Sequence, residues 1–290
     1  MNWFILALIS ALLSAASSIF EKKILFTLEA LKFSLLLALF NLLFSIPFFF
    51  GVDYQTLSMS ALVFLYAKTI LGALAFWCVM LAIKNMELSG ALPLLILTPG
   101  LVAFFAFILL GESLSIFEIT GMTAMLAGIY ILERKDKDIF EPFRIFIKSK
   151  SHHYVIAALL LFTITSIADK WLLRDFKLSP QAFIPFQHLF LAFNFILIAA
   201  GRKTISKDYI RKVPKDTWKW IVLVSLLTVG YRYAQIETVK IAPVALALTV
   251  KRTSVFFTTV IGGRIFREHH LIRKAIATLV MIAGAVIMLY

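Results

Sequence analysis

The chain has 290 residues, a formal net charge of +13 and 61% hydrophobic residues, including 28 phenylalanines, whereas only 16% of its residues are charged. An ordinary soluble globular domain has about a quarter of its residues charged, so this composition excludes that class. The same composition is typical of a membrane protein, in which most of the chain lies in hydrocarbon.

Ten apolar stretches, each close to twenty residues long, run along the chain between short polar breaks. A helix of roughly 17–25 apolar residues crosses the ~30 Å hydrocarbon core, and it satisfies its own backbone polar groups there. The predicted spans are 2–20, 33–50, 61–83, 88–110, 115–132, 153–173, 181–200, 218–238, 241–261 and 271–290. We therefore predict an all-α integral membrane protein with ten transmembrane helices.

The positions of the basic residues predict an orientation. Counted with the first four residues of the next span, the breaks after odd-numbered spans hold 21 Lys and Arg residues, whereas the breaks after even-numbered spans hold only Arg174, Lys177 and Lys240. Cytoplasmic loops are the ones that carry such an excess. We expect a multi-pass protein of the plasma or inner membrane with both termini on the non-cytoplasmic side. Since the excess charge lies in these loops, we expect no nucleic-acid partner.

The two halves of the chain resemble each other weakly. A shift of 156 residues places Glu112–Leu132 over Glu268–Met288 with six of 21 positions identical, among them Met125 with Met281 and Gly128 with Gly284. Because each half contains five spans, an odd number, the second half would enter the bilayer upside down relative to the first. Such inverted repeats are common in transporters. The expected organisation is a five-helix repeat at 1–132, a polar connecting loop at 133–152 and a second repeat at 153–290.

A set of degenerate motifs recurs in the same order in both halves. The motifs are the small-residue segment Ser89–Glu112 with Pro93 and Pro99, ending in Leu110-Gly111-Glu112; then Gly121 and Ala127-Gly128; and, in the second half, Ala242-Pro243, Arg267-Glu268 and Ala283-Gly284. In order and spacing, over the whole chain, they resemble the EamA-type members of the drug/metabolite transporter superfamily. Two departures are Arg267 in place of a glycine and Lys251-Arg252 in place of apolar residues.

The resemblance implies a transporter with a central cavity built by spans one, three, four, six, eight and nine, and with spans five and ten as scaffold. Members of this family are commonly drawn with both termini in the cytoplasm. The basic residues of this chain indicate the reverse orientation, so the direction of transport stays open.

Charged residues inside the predicted spans are the candidate functional residues. Placing a Lys, Arg or Asp at the bilayer centre costs roughly 2.5–3.5 kcal/mol of insertion free energy. Each charged residue inside a span is therefore a candidate for a functional site. Lys251 and Arg252 lie about ten residues from either end of their span, roughly 15 Å by helical rise, which is too far for both to reach an interface. The expected substrate-binding residues are Arg252, Lys251, Arg232, Tyr231, Gln235, Lys68 and Trp77, and the expected coupling or ion-pair residues are Asp169 and Glu237.

Cations outnumber carboxylates among these candidates, which predicts an anionic or zwitterionic substrate such as an amino acid. Arg252 and Arg232 would grip its carboxylate or phosphate in bidentate fashion, while Tyr231 and Trp77 pack against its body. A purely structural ion-pair network through Asp169 is the competing interpretation. On the same scaffold, a flippase or carrier for a phosphate-bearing lipid or lipid-linked sugar is the alternative function.

Other function classes lack their motifs in this sequence. No Gly-x-Ser-x-Gly, His-Glu-x-x-His or Walker-type loop is present, so we expect neither an enzyme nor direct ATP-driven transport. The histidines in or beside polar breaks have no Glu or Cys at metal-ligand spacing, and we expect no metal and no cofactor; they are His152, His153, His269 and His270. The expected partners are a small-molecule substrate and the lipid bilayer, with a homodimer left open.

Overall fold

The chain forms a bundle of helices. A computed structural model describes residues 3–98, 100–101, 115–133, 148–202, 213–242 and 244–287, with the main chain alone at 118, 244–246 and 249. The helices are α1 (Trp3–Leu25), α2 (Ala30–Phe49), α3 (Met59–Asn85), α4 (Leu88–Ala91), α5 (Ile116–Glu133), α6 (Lys150–Arg174), α7 (Pro180–Gly201), α8 (Lys215–Ile241), α9 (Val244–Phe257) and α10 (Leu271–Ile287).

Two helices depart from regular α geometry, and they are equivalent by position in the two halves. α4 continues as a 3₁₀ helix at Pro93–Leu97, where Pro93 has no backbone N–H to give to an α-helical ladder. α9 continues through a π-helical turn at Thr258–Gly262 and a last helical turn at Gly263–Ile265. Residues 99 and 102–110 of predicted span four, and Gly111-Glu112 after it, lie outside the described residues, as does most of the predicted connecting loop.

Five of the described helices are both long and apolar enough to cross a membrane, namely α1, α2, α3, α6 and α7. Two shorter stretches, Leu88–Leu97 and Ile119–Leu132, are also apolar helices. α8 has 27 residues, which is ample for a ~30 Å core, but Lys219, Arg232 and Glu237 make it more polar. The all-helical fold is therefore confirmed, while the count of ten spans stays a prediction.

The main helix contacts join the two halves. α1 packs on α8, α3 on α6, α2 on α7 and α5 on α10. By position in the two halves, α1 is equivalent to α6, and α3 is equivalent to α8. The contact between α1 and α8 is therefore equivalent to the contact between α6 and α3. In the other two contacts, α2 with α7 and α5 with α10, each helix packs against its own equivalent. The packing thus has the two-fold pattern expected of two repeats, and each half completes the core of the other.

The seam between α5 and α10 is closely packed around two glycines. A Cβ atom on Gly128 would lie 2.3 Å from Met281 Cγ, and one on Gly284 would lie 2.6 Å from the Gly121 carbonyl oxygen and 2.9 Å from Met125 N. Small residues let helix backbones approach in a membrane. The residues matched between the halves, Met125 with Met281 and Gly128 with Gly284, therefore pack against one another reciprocally.

α4 is held by the segment between α9 and α10. The Glu268 carboxylate accepts hydrogen bonds from Leu88 N at 2.6 Å, from Ser89 N at 2.9 Å and from the Ser89 hydroxyl. The first N–H groups of a helix have no partner inside the helix, and a carboxylate there also interacts favourably with the helix dipole. Glu268 thereby fixes the helix that leads to Thr98, one of the residues at the functional site.

Candidate functional site

A cavity of about 170 Å³ lies in the middle of the bundle. Its lining is contributed by α2, α3, α6, α7, α8 and α9, and its polar members include Asn41, Lys68, Asp169, Gln187, His188, Thr228, Tyr231, Arg232, Gln235, Lys251 and Arg252. Among the described residues, α2 and α7 line the cavity and α1 does not, which differs from the helix set that the family resemblance implied. The reason is packing, since α1 lies against α8 and α9, and α7 lies between α3 and α8.

One wall of the cavity is a buried ion-pair cluster around Asp169. Its Oδ1 lies 2.5 Å from Lys68 Nζ and its Oδ2 lies 3.1 Å from Arg232 Nη2. Both cations also donate to Gln187 Oε1, each at 2.7 Å. The Phe183 ring lies beneath them, 5.0 Å from Lys68 Nζ and 6.0 Å from Arg232 Cζ. Four helices, α3, α6, α7 and α8, are thus tied together through the Asp169 carboxylate and the Gln187 amide.

A second pair of cations, from α9, has only neutral partners. Lys251 Nζ donates to Gln235 Oε1 and lies 5.0 Å from the centre of the Tyr231 ring. Arg252 Nη2 donates to Thr98 Oγ1 at 2.6 Å, and its buried Nε has no hydrogen-bond partner among the described residues. Within that part of the chain, neither Lys251 nor Arg252 forms an ion pair.

The described lining of the cavity is therefore strongly positive. It contains the four cations Lys68, Arg232, Lys251 and Arg252 but a single carboxylate, Asp169. A buried charge without a counter-charge is costly, so such an arrangement marks a functional site in a membrane protein. Chemically, the α9 pair can take an anionic group, because an ammonium and a guanidinium offer several donors to carboxylate or phosphate oxygens.

The structure brings most of the predicted site residues together and leaves two apart. The residues on the cavity lining are Lys68, Asp169, Tyr231, Arg232, Gln235, Lys251 and Arg252. Trp77 instead lies under Arg202, with its ring centre 4.5 Å from Arg202 Cζ. Trp77 follows Lys68 by nine residues, and this spacing places the two side chains on opposite faces of the helix. Glu237, about 140° around α8 from Arg232, hydrogen-bonds with the Tyr233 side chain.

Sequence reasoning did not select Gln187 and His188 of α7 as site residues, although both are buried and line the cavity. His188 could have been found by the criterion applied to Lys68 and Arg252, since a histidine inside a membrane span is as much a functional candidate as a lysine. Gln187 had a weaker signal, because its role depends on Lys68 and Arg232 meeting at one amide oxygen.

Comparison with known proteins places the chain in a family. No curated protein sequence matches it. One solved structure, a crystal structure of a protein, shares 14% sequence identity with a TM-score of 0.65, covering 98% of this chain and 95% of the other, which shows a common fold alone. The model of the EamA-like transporter family matches residues 1–134 and 150–290. This chain therefore belongs to the EamA-like transporter family and is a multi-pass membrane transporter of the drug/metabolite transporter superfamily.

Proposed function

We propose that this protein is a secondary transporter that moves a small organic anion or zwitterion across the membrane. The observation behind the proposal is the pair Lys251 and Arg252, which line the central cavity and have only neutral oxygen partners among the described residues. Asp169 is already shared by Lys68 and Arg232. A substrate carboxylate or phosphate supplies the missing counter-charge, and the Arg252 guanidinium can bind it in bidentate fashion.

The size of the cavity favours a small metabolite. An apolar protein cavity of about 150 Å³ holds a benzene molecule, and this cavity, at about 170 Å³, is of similar size. A carboxylic acid of a few carbon atoms fits such a space, whereas a lipid-linked sugar does not. The proposal therefore takes a soluble metabolite as substrate in preference to a phosphate-bearing lipid.

The repeats support an alternating-access mechanism with ten spans in two inverted halves. Two equivalent pairs of helices, α1 with α8 and α6 with α3, join the halves, and α3, α6 and α8 also line the cavity. In transporters built from inverted repeats, rocking of equivalent units around a fixed midplane site opens it to one side and then to the other. Lys251 and Arg252 would hold the substrate while the two units exchange conformations.

We also propose that both termini face away from the cytoplasm of the plasma or inner membrane, on the basis of the basic loops. Labelling of single cysteines with an impermeant maleimide in intact cells tests this, in a Cys78→Ser background. Gln55→Cys, in the exposed link after α2, should be labelled, and Asp216→Cys, at the exposed start of α8, should not. The opposite labelling pattern overturns the orientation.

A ligand screen on the purified protein tests the substrate class. Amino acids, organic acids, sugar phosphates and lipid phosphates are tested for thermal stabilisation of the wild type, Arg252→Ala and the control Arg174→Ala, whose side chain is 70% exposed. We expect one class of small anions to stabilise the wild type and the control, by about 2.7 kcal/mol at a hundred times the Kd, and not Arg252→Ala. Equal stabilisation of Arg252→Ala and wild type would overturn the proposed site.

A further inference from the structure

His188 is a buried polar side chain in the cavity that no hydrogen bond among the described residues explains. It is 2% exposed and lines the cavity, and neither Nδ1 nor Nε2 has a hydrogen-bond partner there. Buried polar atoms are almost always hydrogen-bonded, and leaving them unpaired costs free energy. A ring with two unpaired nitrogens beside a ligand cavity therefore points to a group on the ligand.

The chemistry of that group follows from the neighbours of His188. Beside it in α7, Gln187 Oε1 already accepts from Lys68 and Arg232, and the Asp169 oxygens already pair with the same two cations. A neutral imidazole has one N–H donor and one nitrogen acceptor, whichever tautomer is present. The acceptor nitrogen of His188 is thus an unused acceptor of this wall among the described residues, and it can take an N–H or O–H donor from the substrate.

Electrostatics decides between an amine and a hydroxyl as the donor. Two cations, Lys68 and Arg232, share one carboxylate in the cluster beside Gln187, so this wall keeps a net positive charge. A substrate ammonium group would be repelled by it, because like charges disfavour each other strongly in a medium of low dielectric constant. A hydroxyl group meets no such repulsion, and it can donate to whichever imidazole nitrogen is the acceptor.

We infer that the substrate is an organic anion that bears a hydroxyl group, and that His188 selects it by hydrogen-bonding that hydroxyl. This inference rests on the proposed function, since Arg252 and Lys251 hold the anionic end. A site built to hydrogen-bond a hydroxyl discriminates against the analogue without it, because its own buried groups then remain unpaired. His188 is therefore a specificity-determining residue rather than the anchor of the anion.

Matched pairs of anions that differ by one hydroxyl test the inference. Malate is compared with succinate, and glycerol 3-phosphate with propyl phosphate, by the concentration that half-stabilises the purified full-length protein in detergent. We expect the wild type to prefer the hydroxylated member of at least one pair by on the order of tenfold, the effect of about 1.4 kcal/mol. His188→Phe should lower that ratio to about one without weakening the unhydroxylated member, which also shows that the variant is folded.

Two rescue variants and one further ligand sharpen the test. His188→Asn and His188→Gln place an amide near Nδ1 or Nε2 and should restore part of the preference. A wild type that binds both members of each pair equally, or a His188→Phe protein that keeps the ratio, overturns this inference alone. Aspartate binding as tightly as malate would overturn the choice of a hydroxyl over an amine. A wild type that binds no member of either pair also overturns this inference, and the wider ligand screen described above decides separately whether the proposed function fails.

Discussion

Lys22 and Lys170 have the same role in the two halves of the chain. Each lies near the end of the first helix of its half and donates to two main-chain carbonyls at the C-terminus of the third helix of the same half. The acceptors are Ile83 and Met86 for Lys22, at 2.5 and 2.6 Å, and Val239 and Ala242 for Lys170, at 3.0 and 3.1 Å. The last carbonyls of a helix lack intrahelical partners, and a cation there is favourable.

Removing either lysine should destabilise the protein to a similar extent. We expect Lys22→Met and Lys170→Met each to lower the free energy of unfolding by about 1.5–3 kcal/mol, the typical contribution of hydrogen bonds to a charged group. Thermal unfolding in detergent measures the effect. Lys23→Met is the matched control, because Lys23 is exposed and its Nζ lies 3.8 Å from the centre of the Trp220 ring. If the melting points of Lys22→Met and Lys23→Met coincide, the hydrogen bonds from Lys22 to the end of α3 do not contribute to stability.

The Asp169 carboxylate should be essential to the stability of the bundle. Asp169→Asn leaves Lys68 and Arg232 buried without their counter-charge, and breaking a buried pair in this way costs about 3–5 kcal/mol. Asp175→Asn is the control, since Asp175 pairs with the exposed Arg174. The double variant Asp169→Asn with Lys68→Met should recover part of the loss, and a double variant less stable than Asp169→Asn would contradict the explanation.

The closely packed glycines of the α5–α10 seam should not tolerate a methyl group. Gly128→Ala and Gly284→Ala place Cβ against a methionine side chain and a backbone oxygen respectively, and overpacking of this kind costs about 1–3 kcal/mol. Gly284→Ala should be the worse of the two, because backbone yields less than a methionine. Gly90→Ala is the control, since nothing lies within 4 Å of its Cβ position. Melting points of the three variants decide the order.

Glu87, in the link between α3 and α4, should make stability depend on pH. Burial raises the pKa of its carboxyl, but hydrogen bonds from Lys274 and His269 outweigh burial and lower that pKa to about 2. A lowered folded-state pKa stabilises the protein above the ordinary value of 4.5, and this contribution is lost as pH falls from 4.5 towards 2. The melting point of the wild type should therefore fall more steeply in this window than that of Glu87→Gln.

A control separates this effect from general acid denaturation. Glu29→Gln, at an exposed position before α2, changes the net charge by the same amount and should follow the wild-type melting curve from pH 6 to 2.5. If the melting points of Glu87→Gln and wild type differ by the same amount throughout that range, the carboxylate of Glu87 does not supply the pH dependence.

The sequence allowed the membrane class and the four cations of the described cavity lining to be predicted, because the cost of charge in hydrocarbon singles out Lys68, Arg232, Lys251 and Arg252 without any knowledge of packing. It did not allow their partners to be predicted. That Asp169 meets Lys68 and Arg232, or that Arg252 reaches Thr98, depends on which helices lie side by side.

Helical faces explain where the prediction of individual residues was weaker. Trp77 was expected near the substrate because it shares a span with Lys68, yet the two side chains point to opposite sides of the helix, half a helical turn apart. The contribution of α7 was missed for a related reason: its polar residues Gln187 and Asn194 become informative only once α3 is known to pack against it, where Asn194 Nδ2 lies 3.4 Å from Thr69 Oγ1.

The contacts between the halves have a consequence for biogenesis. Lys68 is synthesised about a hundred residues before Asp169, so α3 must enter the bilayer while its buried ammonium still has no carboxylate to pair with. α5 likewise has to await α10, which is synthesised about 150 residues later, before Gly128 meets Met281. Assembly of this bundle is therefore largely post-insertional, and the early helices depend on the insertion machinery or on one another until the second half arrives.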